Sequence, residues 1–185
     1  MLHPLIRLGH PLLRQVAADV TSADFANPDF KQLVEDMREC MKHYGGIGLA
    51  APQIGFSLQL AVIELEAGKN RYDSDAGLPF TVFINPVTET LDQTEQGFWE
   101  GCLSVPGLRG FVERPRKIRV TYQTLDGQPA ERIAEGFLAT VVQHELDHLQ
   151  GLLYVDRLKD TRLLSFQEEF AQFHGQAPSL DEDDV

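Results

Sequence analysis

Cysteine is scarce in this 185-residue chain. Only Cys40 and Cys102 occur, too few for a disulfide framework, and the pair fits a reducing cytoplasm. Long apolar runs are absent as well. None approaches the ~20 residues that a membrane-spanning helix needs, so no membrane association is expected. The N-terminal Met1-Leu2-His3-Pro4-Leu5-Ile6-Arg7 has neither a sustained apolar stretch nor a small-residue cleavage site, and no secretory signal is read there. Positive charge is short too: 16 Lys and Arg face 28 Asp and Glu, a net charge of −12. That argues against non-specific binding to nucleic acid or anionic lipid. The cations that do cluster, Arg109, Arg114, Arg116, Lys117 and Arg119, are interrupted by Glu113 and read as a solvated strand edge.

What is present suits an ordinary soluble globular protein, with 43% hydrophobic and 24% charged residues, and the fold expected from the segments along the chain is α+β. No internal repeat or second domain is visible. The expectation is one catalytic domain over residues 1–178 and a disordered acidic tail over 179–185. Residues 1–26 read as irregular or extended. Asn27-Pro28 is a strong helix start, an N-cap followed by proline at the first helical position. Phe30, Leu33, Val34, Met37 and Met41 then mark one buried helix face, predicting a helix over 28–43. Cys40 beside that stripe reads as a packed thiol.

Gly45 to Gly55 is rich in small residues, which let a backbone approach something closely. It lacks the Gly-Lys-Ser/Thr ending of a phosphate loop. Extended segments are expected at Leu58–Leu65, Phe80–Ile84, Val87–Gln93, Phe98-Trp99 and Lys117–Leu125, with a polar loop over Ala67–Leu78. Asp126-Gly127 predicts a hairpin turn into a return strand near 130–134. A central helix over 137–150 follows, with Leu138, Val141, Val142, Leu146 and Leu149 as its apolar stripe and Gly151 as its C-terminal stop. The strands are expected to form antiparallel or mixed sheets around that helix. A last helix is placed over 160–173, using Leu163, Leu164, Phe166, Phe170 and Phe173.

The central helix carries His144-Glu145-Leu146-Asp147-His148. On a helix the two histidines lie one turn apart, about 6 Å between their Cβ atoms. They can close on one metal ion, with Glu145 beside them as a base for an activated water. Two histidines do not complete a catalytic site, which usually takes three protein ligands and an open position. Downstream, Gly151 fits the metzincin pattern but Tyr154 stands where its third histidine would be. Upstream, Glu100-Gly101-Cys102-Leu103-Ser104 offers a thiolate, a good partner to two imidazoles for Zn²⁺ or Fe²⁺. By itself Cys102 also reads as a buried apolar residue, or as half of a nucleophilic Cys/His pair.

Taken together, Gly46-Ile47-Gly48-Leu49-Ala50-Ala51-Pro52-Gln53, Glu100-Gly101-Cys102-Leu103-Ser104 and Gln143-His144-Glu145-Leu146-Asp147-His148 resemble, in order, the three motifs of the peptide deformylases. The resemblance implies an enzyme that hydrolyses the formyl group from the N-terminal methionine of newly made polypeptides. It implies a divalent metal held by Cys102, His144 and His148, usually Fe²⁺, with Zn²⁺, Ni²⁺ or Co²⁺ able to substitute. It further implies Glu145 as proton shuttle, and Gln53 and the Leu103 backbone N–H as donors to the oxyanion. By the same resemblance Ile47 and Gly48 pair with the extended substrate, Phe98, Phe137 and Val141 wall a methionine pocket, and Arg109 contacts the substrate backbone. The implied partners are formylmethionyl nascent chains in the cytoplasm, with room for a transient ribosome association. Two other readings compete: a zincin-like peptidase, which lacks its downstream ligand here, and a structural zinc module, which lacks a fourth ligand.

Overall fold

A computed structural model describes residues 1–66 and 77–174. The tail expected at 179–185, and all but the end of the loop expected at 67–78, lie outside them. Helix α2 (Pro28–His43) starts as the sequence predicts: Asn27 Oδ1 accepts from the Asp29 N–H at 3.0 Å, with Pro28 at the first position. A short helix α1 (Ser22–Ala26) precedes it, in a stretch expected to be irregular. At its start Asp24 Oδ2 accepts from both the Thr21 N–H and the Thr21 hydroxyl at 2.7 Å, one half of a capping box and a local signal that composition alone did not bring out.

The strands are β1 (Gly48–Ala50), β2 (Leu60–Leu65), β3 (Leu78–Cys102), β4 (Val105–Gln123), β5 (Pro129–Glu135) and β6 (Leu164–Phe166). They form one sheet in the order β1-β2-β3-β4-β5, with β6 added to β4. Every ladder among them is antiparallel. Strand β2 is buried on both faces and accordingly reads as a near-continuous apolar run. On one side Leu60 and Val62 meet α2 through Val34, Met37 and Met41. On the other, Ala61 and Ile63 meet helix α3 (Phe137–Leu149) through Leu138, Val142 and Leu149. Each of these large apolar side chains, once buried, contributes roughly 1.5–3 kcal/mol.

Three segments expected as separate strands, Phe80–Ile84, Val87–Gln93 and Phe98-Trp99, are parts of the single strand β3. Register shifts near Ile84/Val87 and Thr90/Asp92 bend it, so proline and turn residues are absorbed as bulges instead of ending the strand. At the first of these Asn85 takes a positive φ of 49°. Its side-chain amide fixes that turn by accepting from the Val20 N–H and donating to the Val20 carbonyl, both at 2.8 Å.

The helix expected over 160–173 is a further correction. Thr161–Leu163 is a 3₁₀ turn, Leu164–Phe166 is strand β6, and helix α4 covers only Gln167–Phe173. Asp160 accepts from the Arg162 N–H at 2.9 Å, a local turn that competes with helix at that point. Of the apolar positions expected along that helix, Phe166 and Phe173 are exposed and Phe170 is buried.

The end of α3 fixes where its histidines sit. The Leu149 carbonyl accepts from the Ala17 N–H at 2.9 Å and from Gln59 Nε2 at 3.2 Å. Gly151 then turns the chain away with φ 71°, and a Cβ there would meet the Arg14 carbonyl carbon at 2.7 Å. Left-handed strain and that backbone overlap together predict that Gly151→Ala loses about 3 kcal/mol of stability. Urea unfolding followed by circular dichroism measures the difference.

Candidate active site

Helix α3 is buried on two faces, and the second face builds the site. Phe137, Thr140, Val141, His144 and Glu145 recur at helical spacing and line a cleft of about 1290 Å³. His148 continues the row at 1% exposure. The opposite wall is the β3–β4 hairpin. Glu100 and Cys102 are two residues apart on β3, so both side chains face α3, while Trp99 and Gly101 face away. Leu103-Ser104 makes the turn, after which Val105 pairs back with Cys102.

The sulfur of Cys102 and one ring nitrogen each of His144 and His148 all lie within 4.8 Å of one another. Cys102 Sγ is 3.3 Å from His148 Nε2. The other nitrogen of His144, Nδ1, bonds to Glu100 Oε2 at 2.7 Å, which leaves Nε2 for the site. Arg114 donates to Glu100 from Nε at 2.7 Å and to Asp147 Oδ2 from Nη1 at 2.8 Å. Arg157 holds the far side of Asp147 at 2.6 and 3.1 Å. Burial alone would raise Glu100, yet its hydrogen bonds from His144 and Arg114 hold it below the usual carboxylate range.

Burial likewise pulls both histidines down. For His144 the bonds to Cys102 and Glu100 outweigh it and leave that ring well above its ordinary value; for His148 the positive charges of His144 and Arg114 add to burial, and it falls well below. Glu145 is raised by burial to about 7, against the pull of His144. Its Oε2 and His148 Nδ1 are buried without a hydrogen-bond partner among the described residues. A cysteine sulfur, two imidazoles and a carboxyl oxygen without a partner at the floor of a cleft fit a metal ion and a water, which would answer that unmet demand.

The remaining expected residues fall around this point. Gln53 Oε1 accepts from the Ala50 N–H at 2.8 Å, which aims Nε2 at Cys102 Sγ, 3.5 Å away, and at Ser104 Oγ, 3.3 Å away. Gly48 lies on β1, an edge strand, and the Ile47 carbonyl accepts from the Glu64 N–H at 2.9 Å. Ile47, Leu103, Arg109, Phe137 and Val141 line the cleft. Phe98 is not in that lining; its ring stands edge-on to Phe137 with centroids 5.4 Å apart, and Thr140 takes the lining position instead.

Four contributors were not assigned from sequence: Glu100, Arg114, Asp147 and Tyr154. The reading of Arg114 as part of a solvated strand edge is overturned, since it is 3% exposed. A signal was available. Arg114 shares strand parity with Val112, Ile118 and Val120, all buried, so a charge on that face called for a buried partner. Tyr154, noted for departing from the metzincin pattern, stacks on His144 with ring centroids 6.1 Å apart.

Fold and site together define a class: an α+β protein whose cleft floor offers Cys, His and His to one metal beside a buried glutamate. Comparison with known proteins then narrows it. The sequence model of the family described as polypeptide deformylase matches residues 2–163. A peptide deformylase of Leptospira biflexa is 46% identical over 165 residues, 89% of this chain and 92% of the relative. Peptide deformylase 1 of Bordetella pertussis is 47% identical over 168 residues, 91% of this chain and 94% of the relative. A Met-Ala-Ser-bound class I type b peptide deformylase from Acinetobacter baumannii superposes with a TM-score of 0.80 at 34% identity, covering 85% of this chain and 99% of that one.

The chain belongs to the peptide deformylase family. It is a metal-dependent hydrolase that removes the formyl group from the N-terminal formylmethionine of newly synthesised polypeptides. No helix among the described residues is long and apolar enough to cross a membrane.

The Arg114 contacts yield a prediction. Removing one partner of a buried ionic group leaves the others uncompensated, so Arg114→Ala should lose about 3–5 kcal/mol in denaturant unfolding. With Glu100 no longer held, metal affinity should fall about 10- to 100-fold, read by competition with a chromogenic chelator.

Proposed function

We propose that Cys102, His144 and His148 hold the metal, and that in the cell it is Fe²⁺, with Zn²⁺, Ni²⁺ or Co²⁺ able to take its place. The observation that carries this is the convergence of the three donor atoms beside the unpartnered Glu145 carboxylate. When bound, such a cation acidifies water and polarises a carbonyl oxygen. Glu145 takes the proton of the attacking water and later delivers it to the departing amine. Its carboxyl, raised to about 7 by burial, suits a group that must both take and give a proton near neutrality. Gln53 Nε2 and the Leu103 N–H donate to the oxygen on which negative charge develops, each worth about 10²–10³ in rate.

Substrate enters as an added strand. β1 pairs with β2 on one side only among the described residues, so its other edge offers the Ile47 and Gly48 backbone to an extended peptide. The methionine side chain occupies the apolar pocket of Phe137 and Val141, with Phe98 behind, and Arg109 contacts the peptide backbone. That a solved structure of the same fold is described as Met-Ala-Ser bound supports a short peptide as the ligand. The chain works as one catalytic domain over residues 1–178 in the cytoplasm, where it meets nascent chains with transient ribosome contact. Its net charge of −12 gives no support for a broad face that binds nucleic acid.

Anaerobically purified, metal-replete protein should release formate from N-formyl-Met-Ala; absence of formate overturns the reading. Glu145→Ala should retain metal by elemental analysis yet lose about 10²–10⁴ in kcat. Cys102→Ala should lose the metal itself. Gly48→Ala should keep metal and lose turnover, because a Cβ built on Gly48 overlaps the Glu145 carboxylate. The iron-loaded form should lose activity in dilute peroxide faster than the zinc form does.

A further inference from the structure

Tyr154 is a buried polar residue that the reaction, as described, does not use. It is 1% exposed and opens a short 3₁₀ turn (Tyr154–Arg157) just past the end of α3. Its ring packs with Val105, Val112 and Leu153, and Cys102 lies against the same group. Gly110 makes the room: it pairs with Glu100 across the hairpin, and a Cβ there would come within 2.9 Å of Tyr154 Cε2. Directly opposed residues of an antiparallel ladder share a face, so the phenol sits on the α3 side, with Glu100 and Cys102. From there it stacks on His144, ring centroids 6.1 Å apart and planes 19° from parallel. Yet its hydroxyl is buried with no hydrogen-bond partner among the described residues. A hydroxyl left so is a cost to the fold, and phenylalanine would fill the same space without it. Packing therefore accounts for the ring and not for the oxygen.

We propose that Tyr154 is a positioning residue of the metal centre, whose hydroxyl turns its proton toward the Cys102 sulfur and draws charge from it. This rests on Cys102 as a metal ligand, hence a thiolate, and extends that reading to what tunes the sulfur. A phenol has one proton to donate and rotates it to suit the surrounding field. Arg109 repels that proton, while Cys102 and Glu100 attract it. Glu100 is already occupied by His144 and by two bonds from Arg114, which leaves the sulfur as the acceptor. Burial, and next the nearby Cys102, push the hydroxyl up to about 12, so it keeps its proton near neutrality. In a water-poor interior a dipole aimed at a charge acts more strongly than it would in solvent. Polarity and hydrogen bonding around a ligating cysteine sulfur tune the electronics of the metal it holds.

The test loads the protein with Co²⁺ and reads the sulfur-to-cobalt charge-transfer absorption in the near ultraviolet. Tyr154→Phe keeps the ring and removes only the hydroxyl. Its charge-transfer band should move to longer wavelength, because a sulfur with no donor facing it gives up charge more readily. The weaker visible bands, which report coordination geometry, should stay where they are. The zinc-loaded variant should unfold at no lower a urea concentration than the unaltered protein, since no hydrogen-bond partner is lost. A charge-transfer band that stays put, or that moves only together with the visible bands, overturns the proposal. Unfolding of Tyr154→Phe at lower urea overturns it too, by revealing a structural partner for the hydroxyl. Absence of the charge-transfer band from the unaltered cobalt protein would instead overturn Cys102 as a ligand.

Discussion

The site depends on one buried cation. Arg114 reaches Glu100 on β3 and Asp147 on α3, and Arg157 meets Asp147 from the solvent side. Taking these charges out of water costs several kcal/mol per ion, and buried pairs can often be replaced by apolar residues without loss of stability. Stability alone is therefore a poor account of the network. Its effect is geometric: it holds Glu100 ionised and fixed, which commits His144 Nδ1 and turns Nε2 to the site. The carboxylate behind a ligating histidine sets ring orientation and basicity. Here that carboxylate is itself held by a guanidinium, so hairpin and helix cannot shift independently.

Strand parity divides the work of the hairpin. Glu100 and Cys102 face α3, and Trp99 and Gly101 face outward. The same four-residue stretch thus supplies a sulfur and a carboxylate on one side and an aromatic platform on the other. The Arg109 guanidinium occupies the space where Gly101 lacks a side chain. Helix α3 is divided in a comparable way. Leu138, Val142 and Leu149 join the sheet core, while Thr140, Val141, His144 and Glu145 face the cleft.

Features set by local chemistry were legible in the sequence. Asn27-Pro28 begins a helix, Asp126-Gly127 turns a hairpin, and the spacing of His144 and His148 puts both on one helix face wherever that helix goes. Features set by register were harder to read. Arg114 and Arg116 have the same parity, but Arg114 is buried against Glu100 and Asp147 while Arg116 is exposed, beside a shift of the β3–β4 ladder between Asp92 and Glu95. The last helix failed for a related reason. Leu163, Leu164 and Phe166 satisfy a helical period, yet β4 offered an edge, and three residues paired with it before α4 began. Phe98 was placed in the methionine pocket by resemblance, and side-chain packing against Phe137 puts it behind the lining.

Glycine 48 shows how closely the two sides of the cleft constrain each other. Its φ is not in the left-handed region, so backbone freedom does not explain the residue. Space does. The Glu145 carboxylate occupies the volume a side chain would take, which brings the buried acid against β1. β1 is only Gly48–Ala50, a short edge strand of the kind that limits unwanted pairing. A longer edge would invite other chains, and a bulkier residue would push the acid back. A three-residue strand beginning with glycine meets both demands: it leaves little backbone edge for other chains, and the Glu145 carboxylate stays packed against it.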